Sequence, residues 1–140
     1  MKKITFFLLI AAAIAFGACE GSKRSTDNNV LFEDSWVLTE LMGKPIDSTG
    51  RPPYLQFSAE NQVTGSTGCN RLTGGFTLQG ETKLKFSPLA TTKMYCPDVD
   101  ESGFLNALEK VNNYNIVSDM LILSNGKILL AKFRKMKRPY

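Results

Sequence analysis

Residues 31–135 are predicted to form an α+β domain, a compact and mostly antiparallel β-sheet or barrel-like sheet with one packed helix. Three observations predict it. Short apolar runs recur along the chain, each bounded by glycine, proline or asparagine, as in strands joined by tight turns. Phe104, Leu105, Leu108 and Val111 repeat at helical spacing on a single stripe, so a helix there has one face to bury. Asn125-Gly126 separates two apolar runs, the strongest local signal for a β-hairpin.

The elements follow in order. Ser35–Leu41 (SWVLTEL) is predicted as a strand that turns Trp36, Leu38 and Leu41 toward the core. Pro52-Pro53 precede an extended piece, Tyr54–Ser58, which ends in the turn-forming Ser58-Ala59-Glu60-Asn61. Strands are then expected at Gln62–Ser66, Gly74–Leu78 and Lys83–Phe86, the last alternating polar and apolar as a half-exposed strand does. Asp98-Val99-Asp100-Glu101 has the spacing of a capping box, with Asp98 as N-cap and Glu101 reaching back, and Asn112-Asn113 is expected to end the helix. Met120–Ser124 and Lys127–Ala131 form the closing hairpin, with positive φ expected at both Asn125 and Gly126.

The ends of the chain speak to location. Lys2 and Lys3 precede an apolar run from Ile4 to Phe16, then Gly17-Ala18-Cys19, which is the layout of a secretory signal peptide over residues 1–18. The run is about 13 residues, short of the roughly 20 that a spanning helix needs, and a short anchor helix is the alternative. Phe16-Gly17-Ala18-Cys19 resembles a bacterial lipobox, although leucine is commoner where Phe16 stands. That resemblance implies cleavage before Cys19 and acylation of its thiol and new amino group. Several acyl chains at roughly 0.8 kcal/mol per buried CH₂ hold a protein to a membrane almost permanently. Residues 19–30 are expected to be a tether, since Glu20–Asn29 holds no aliphatic or aromatic residue. Glu20 is not the aspartate that resembles an inner-membrane retention signal, so outer membrane is preferred to inner.

Charge excludes one class. Of 17 Lys and Arg, two lie in the leader and five lie from Lys132 onward, leaving 10 against 13 Asp and Glu, a net of −3. Such a domain lacks the basic footprint of a nucleic-acid binder. The basic end, with residues 136–140 as its tail, reads either as a contact to anionic lipid or as a solvated terminus.

The stretch GSTGCNRLTGGF, Gly65 to Phe76, is the one candidate site. It lacks the Gly-Lys-Ser/Thr ending of a phosphate loop, and a strand rather than a helix is expected after it. Cys69 as a nucleophile lacks the usual base, since the chain has no histidine. One thiol pair without imidazole is too few ligands for zinc, and Asp47, Asp98 and Asp100 lack the spacing of a calcium loop. No catalytic residue, metal or cofactor is therefore expected. Beyond the inner membrane thiols oxidise, and with Cys19 given to lipid, Cys69 and Cys96 remain as a pair. Their bridge closes a loop of about 28 residues, worth roughly 3.5 kcal/mol on the chain-entropy account. Two buried free thiols are the alternative.

Taken together, Trp36-Val37-Leu38, Gly68-Cys69-Asn70-Arg71, Gly74, Thr92-Lys93-Met94-Tyr95-Cys96, Phe104 through Leu108 and Leu121-Ile122-Leu123 with Asn125-Gly126 resemble the META domain family, also called HslJ-like, over about residues 32–133. Here Tyr95 stands where that family often has alanine. The resemblance implies a compact antiparallel domain with a packed helix, commonly secreted or lipid-anchored, in some members linked to heat shock or envelope stress, and with no established catalytic activity. In its light the loop glycines are expected to serve bends and positive φ. Asn70 and Arg71 are expected to hydrogen-bond backbone groups across the loop, and both are candidate recognition residues. The function expected is a non-enzymatic, lipid-anchored module of the bacterial cell envelope that binds an envelope protein or stabilises an assembly under stress. The alternative is a carrier for a small apolar ligand or lipid, and an enzyme is the least supported reading.

Overall fold

A computed structural model describes residues 28–47 and 50–137. The expected leader, Cys19, the tether up to Asp27 and residues 138–140 lie outside the described residues. Helix α1 (Asn28–Glu33) leads into β1 (Ser35–Leu41) and β2 (Lys44–Pro45). Then come β3 (Tyr54–Phe57), β4 (Gln62–Ser66), β5 (Arg71–Gln79), β6 (Lys83–Phe86) and β7 (Ala90–Thr91). Helix α2 (Glu101–Glu109) precedes β8 (Asn113–Val117), β9 (Met120–Asn125) and β10 (Ile128–Met136). All ladders are antiparallel, in the order β6-β5-β4-β3-β1-β10-β9-β8, with β2 beside β1 and β7 beside β5. The sheet curls until β6 and β8 approach one another, and Tyr114 N donates to Thr82 O at 2.8 Å across the gap. No ladder joins these two edges, so the sheet is not closed.

The core lies inside the curl. Trp36 and Leu38 are fully buried, and the bulge between Leu38 and Glu40 shifts the alternation by one residue so that Leu41 also faces inward. Phe57 and Phe76 meet edge-on with ring centroids 5.1 Å apart. Helix α2 lays Phe104, Ala107 and Leu108 against the sheet, with Phe104 6.3 Å from Phe133 on β10. Leu105 is only half-buried, and Val111 is buried beyond the end of the helix.

Several expectations are corrected. The helix ends at Glu109 with Lys110 as C-cap, because Asn113 already pairs with Ser124 as the first residue of β8. The N-cap is Asp100, whose carboxylate accepts from Gly103 N at 2.9 Å, two residues later than expected. In the last hairpin Asn125 pairs with Ile128, so the turn is Gly126-Lys127 and only Gly126 has positive φ. That is the pattern of a II′ turn rather than I′. The polar segment expected to run to residue 30 gives way to α1 at Asn28, which is held where Trp36 Nε1 donates to Leu31 O at 3.0 Å. The basic end is largely not a tail. Residues through Met136 form β10, which pairs with both β1 and β9, and Lys132 bonds Glu40 at 2.7 Å while Lys135 bonds Asp34 at 2.8 Å.

Candidate functional site

The glycine loop joins β4 to β5 and lies against the segment that leads into α2. Cys69 and Cys96 form a disulfide with Cα atoms 6.0 Å apart, within the normal range for a bridge. Beside it, Asn70 is 1% exposed and its amide is saturated. Nδ2 donates to Met94 O at 3.1 Å and to Glu101 Oε2 at 2.9 Å. Oδ1 accepts from Met94 N at 2.7 Å and from Thr92 Oγ1 at 2.8 Å. Thr67 is fully buried; its hydroxyl accepts from Asn70 N at 2.9 Å and donates to Glu101 Oε1 at 2.9 Å. One carboxylate at the start of α2 thus receives two side chains from the glycine loop. Among the described residues no buried side-chain polar atom lacks a partner.

The expected site residues therefore separate. Asn70 bridges the two loops as expected, but with every donor and acceptor spent internally it offers a ligand nothing. Arg71 does not bridge them through its side chain, which is exposed; its backbone does, the N–H donating to Thr92 Oγ1 at 3.1 Å and the carbonyl accepting from Thr92 N at 3.2 Å. Glu101 does not close a capping box, because Thr67 and Asn70 occupy its oxygens. Thr67 was not singled out by sequence, and Glu101 was read there only as a capping residue. Thr67 carried a local signal, a threonine two and three residues before backbone amides it can cap, whereas the partner of Glu101 is 31 residues away. The glycines serve close approach more than bending. Gly68 alone in this stretch has positive φ, +92°, while a Cβ on Gly65 would land on the Tyr54 carbonyl oxygen.

A cleft of about 710 Å³ opens next to this network. Its floor is Leu38, Leu41 and Phe104, and Pro52, Pro53 and Val99 form parts of its walls. Asp98 and Asp100 stand on the side of α2, Lys44 belongs to β2, and Arg51 to the loop before β3. The three aspartates named from sequence all line this cleft, but among the described residues no three Asp, Glu, His or Cys side chains gather as a metal-ligand group. Tyr95 is 89% exposed, although its neighbours are pinned: Met94 by the amide of Asn70, Cys96 by the disulfide.

The profile of the META domain matches residues 29–137. The chain belongs to the META domain family. The chain is 32% identical over 122 residues to heat shock protein HslJ of Escherichia coli K12, covering 86% of this chain and 78% of that protein. In solved structures it is similar in fold to a protein from Burkholderia xenovorans (TM-score 0.61, 24% identity, 99% of this chain and 100% of that one). It is also similar to a DUF4847 family protein from Bacteroides vulgatus (TM-score 0.61, 17% identity, 80% and 99%). Both of these likenesses concern the fold alone.

Proposed function

We propose that this META domain is a non-enzymatic binding module of the bacterial envelope, held to a membrane, preferably the outer one, by lipid on Cys19. The observation that carries the proposal is how the polar side chains of the candidate site are used. Asn70, Thr67, Glu101 and Asp100 all bond to the protein itself, so they build a rigid frame, and the large apolar groups left facing outward around it are Met94, Tyr95 and Met42. Exposed methionine and tyrosine on a rigid frame suit association with another protein. The lipobox resemblance of Phe16–Cys19 supports the anchor. The name of the E. coli relative supports production under heat stress, which transcript levels after a temperature upshift test.

A second reading, a carrier of a small apolar ligand, is favoured by the cleft, whose volume and apolar floor lie within the range of ligand sites. Intact mass of the membrane-fraction protein tests the anchor, since an unmodified Met1 or lipid-free Cys19 removes it. Formaldehyde cross-linking in cells, with and without Cys19→Ser, tests the binding role. A dominant protein adduct that depends on the anchor supports the module. Stoichiometric binding of N-phenylnaphthylamine to the purified protein, without any protein adduct, transfers the assignment to the carrier.

A further inference from the structure

Four of the five large exposed apolar side chains among the described residues sit at one end of the curled sheet. Met42 lies in the β1–β2 turn and lines the cleft. Ile128 opens β10 just beyond Leu130, whose carbonyl accepts from Met42 N at 2.8 Å. Met94 and Tyr95 ride the disulfide-bonded loop. The chain enters at the other end: α1 leads into Ser35, and Ser35 pairs with Met136, the last residue of β10. Leu41, in the cleft, is six residues farther along β1, about 20 Å at strand rise. Between Cys19 and Asn28 lie nine peptide units, which span at most about 30 Å. A lipid on Cys19 therefore attaches through the end opposite the cleft.

We infer that the cleft end docks a folded protein on the side away from the membrane, through a hole and a knob used together; this rests on the anchored-module reading above. The hole is the cleft. It takes an apolar side chain against Ile46, Pro53 and Val99, above the buried Leu41, with a lysine or arginine of the partner toward Asp98 and a carboxylate toward Lys44 and Arg51. Among the described residues neither Asp98, Lys44 nor Arg51 is held in an ion pair. The knob is Tyr95, which needs a shallow apolar recess. Its pinned backbone lowers the ordering cost of binding, which favours a rigid aromatic anchor. A small ligand would fill the cleft and leave Tyr95 untouched. An anionic lipid surface is disfavoured by Asp47, Asp98 and Asp100 in the lining.

The test places p-benzoylphenylalanine at position 42, 95 or 136 of the full-length protein in cells, followed by irradiation. The expected result is the same protein adduct from 42 and 95 and none from 136. Tyr95→Ala is expected to lower the yield from position 42 about tenfold, and Asp98→Lys to lower the yield from 95, with unchanged circular dichroism in both. An adduct at twice the protein's own mass makes the occupant a second copy and overturns the inference, as does an adduct with lipid only. Protein adducts from 136 but not from 42 or 95 overturn the docking surface and leave the binding module standing. No protein adduct from any of the three positions overturns both.

Discussion

Replacing Asn70 by alanine is expected to unlock the loop pair beside the cleft. The substitution removes four hydrogen bonds, one of them to the carboxylate of Glu101. A neutral bond contributes about 0.5–1.5 kcal/mol net and one to a charged group about 1.5–3. Met94 and Thr92 are exposed and regain water, so the full sum is not lost. The expected cost is about 3 kcal/mol, or a fall of about 12 °C in Tm for a domain of this size. Urea unfolding followed by Trp36 fluorescence measures it, provided the slope with denaturant stays constant. Asn70→Asp separates geometry from donors. It keeps both acceptor bonds, loses both donors, and sets a second carboxylate where Nδ2 stood 2.9 Å from Glu101 Oε2. Two carboxylates so placed cannot both ionise, so the folded pair holds a proton that the unfolded chain releases at neutral pH. A folded pKa raised in this way penalises the variant above the ordinary carboxylate range and relieves it as pH falls. Asn70→Asp should thus be less stable than Asn70→Ala at pH 7 and recover toward it near pH 4. A cost below about 1 kcal/mol for Asn70→Ala, or no pH dependence for Asn70→Asp, would refute the network as the frame of the site.

Reduction of Cys69–Cys96, separated by 27 residues, is expected to lower stability by about 3.5 kcal/mol, read as a shift of the urea midpoint with and without reductant. Gly65→Ala forces a methyl into the Tyr54 carbonyl and is expected to prevent folding or to cost more than about 3 kcal/mol, whereas Gly80→Ala, with open space around it, costs only the strain of positive φ, about 1–2 kcal/mol. Trp36→Phe removes the bond to Leu31 O and should cost about 1–2 kcal/mol, with faster amide exchange in α1 as the local readout. The hydrogen bond to Asp34 raises the pKa of Lys135 above its ordinary 10.5. Its stabilisation is therefore fully present below that value and lost as pH rises through the folded pKa; Lys135→Met should trail the wild type by under about 1 kcal/mol at pH 8 and match it above the titration.

Strands with one wet face were legible in the sequence. In β1, β4 and β6 the alternation of side chains marks the boundaries found. The bulge in β1 was visible only as the odd spacing of Leu38 and Leu41. β8 was hidden because Asn112-Asn113 reads as a helix stop, although Tyr114 and Ile116 alternate correctly. α1 is six residues long, too short for periodicity to show. β10 was divided between a hairpin arm and a basic tail because Lys132 and Lys135 look solvent-bound until Glu40 and Asp34 meet them across the sheet. The disulfide followed from compartment and count. The role of Glu101 did not, since Asp98, Asp100 and Glu101 offer competing local caps and only the distant Thr67 and Asn70 decide between them.

The pairing of β1 with β10 has a consequence for synthesis. Ser35 and Met136 are partners, so the ladder that seats the first strand draws on residues made about a hundred positions later. Loop closure on that scale slows folding relative to local contacts, and β10 is also the strand that joins β9 and β8 to β1. A chain still emerging from a ribosome or a translocation pore cannot complete this sheet. The domain is therefore suited to passing through a membrane as an unfolded thread and acquiring its shape only once the last strand has arrived.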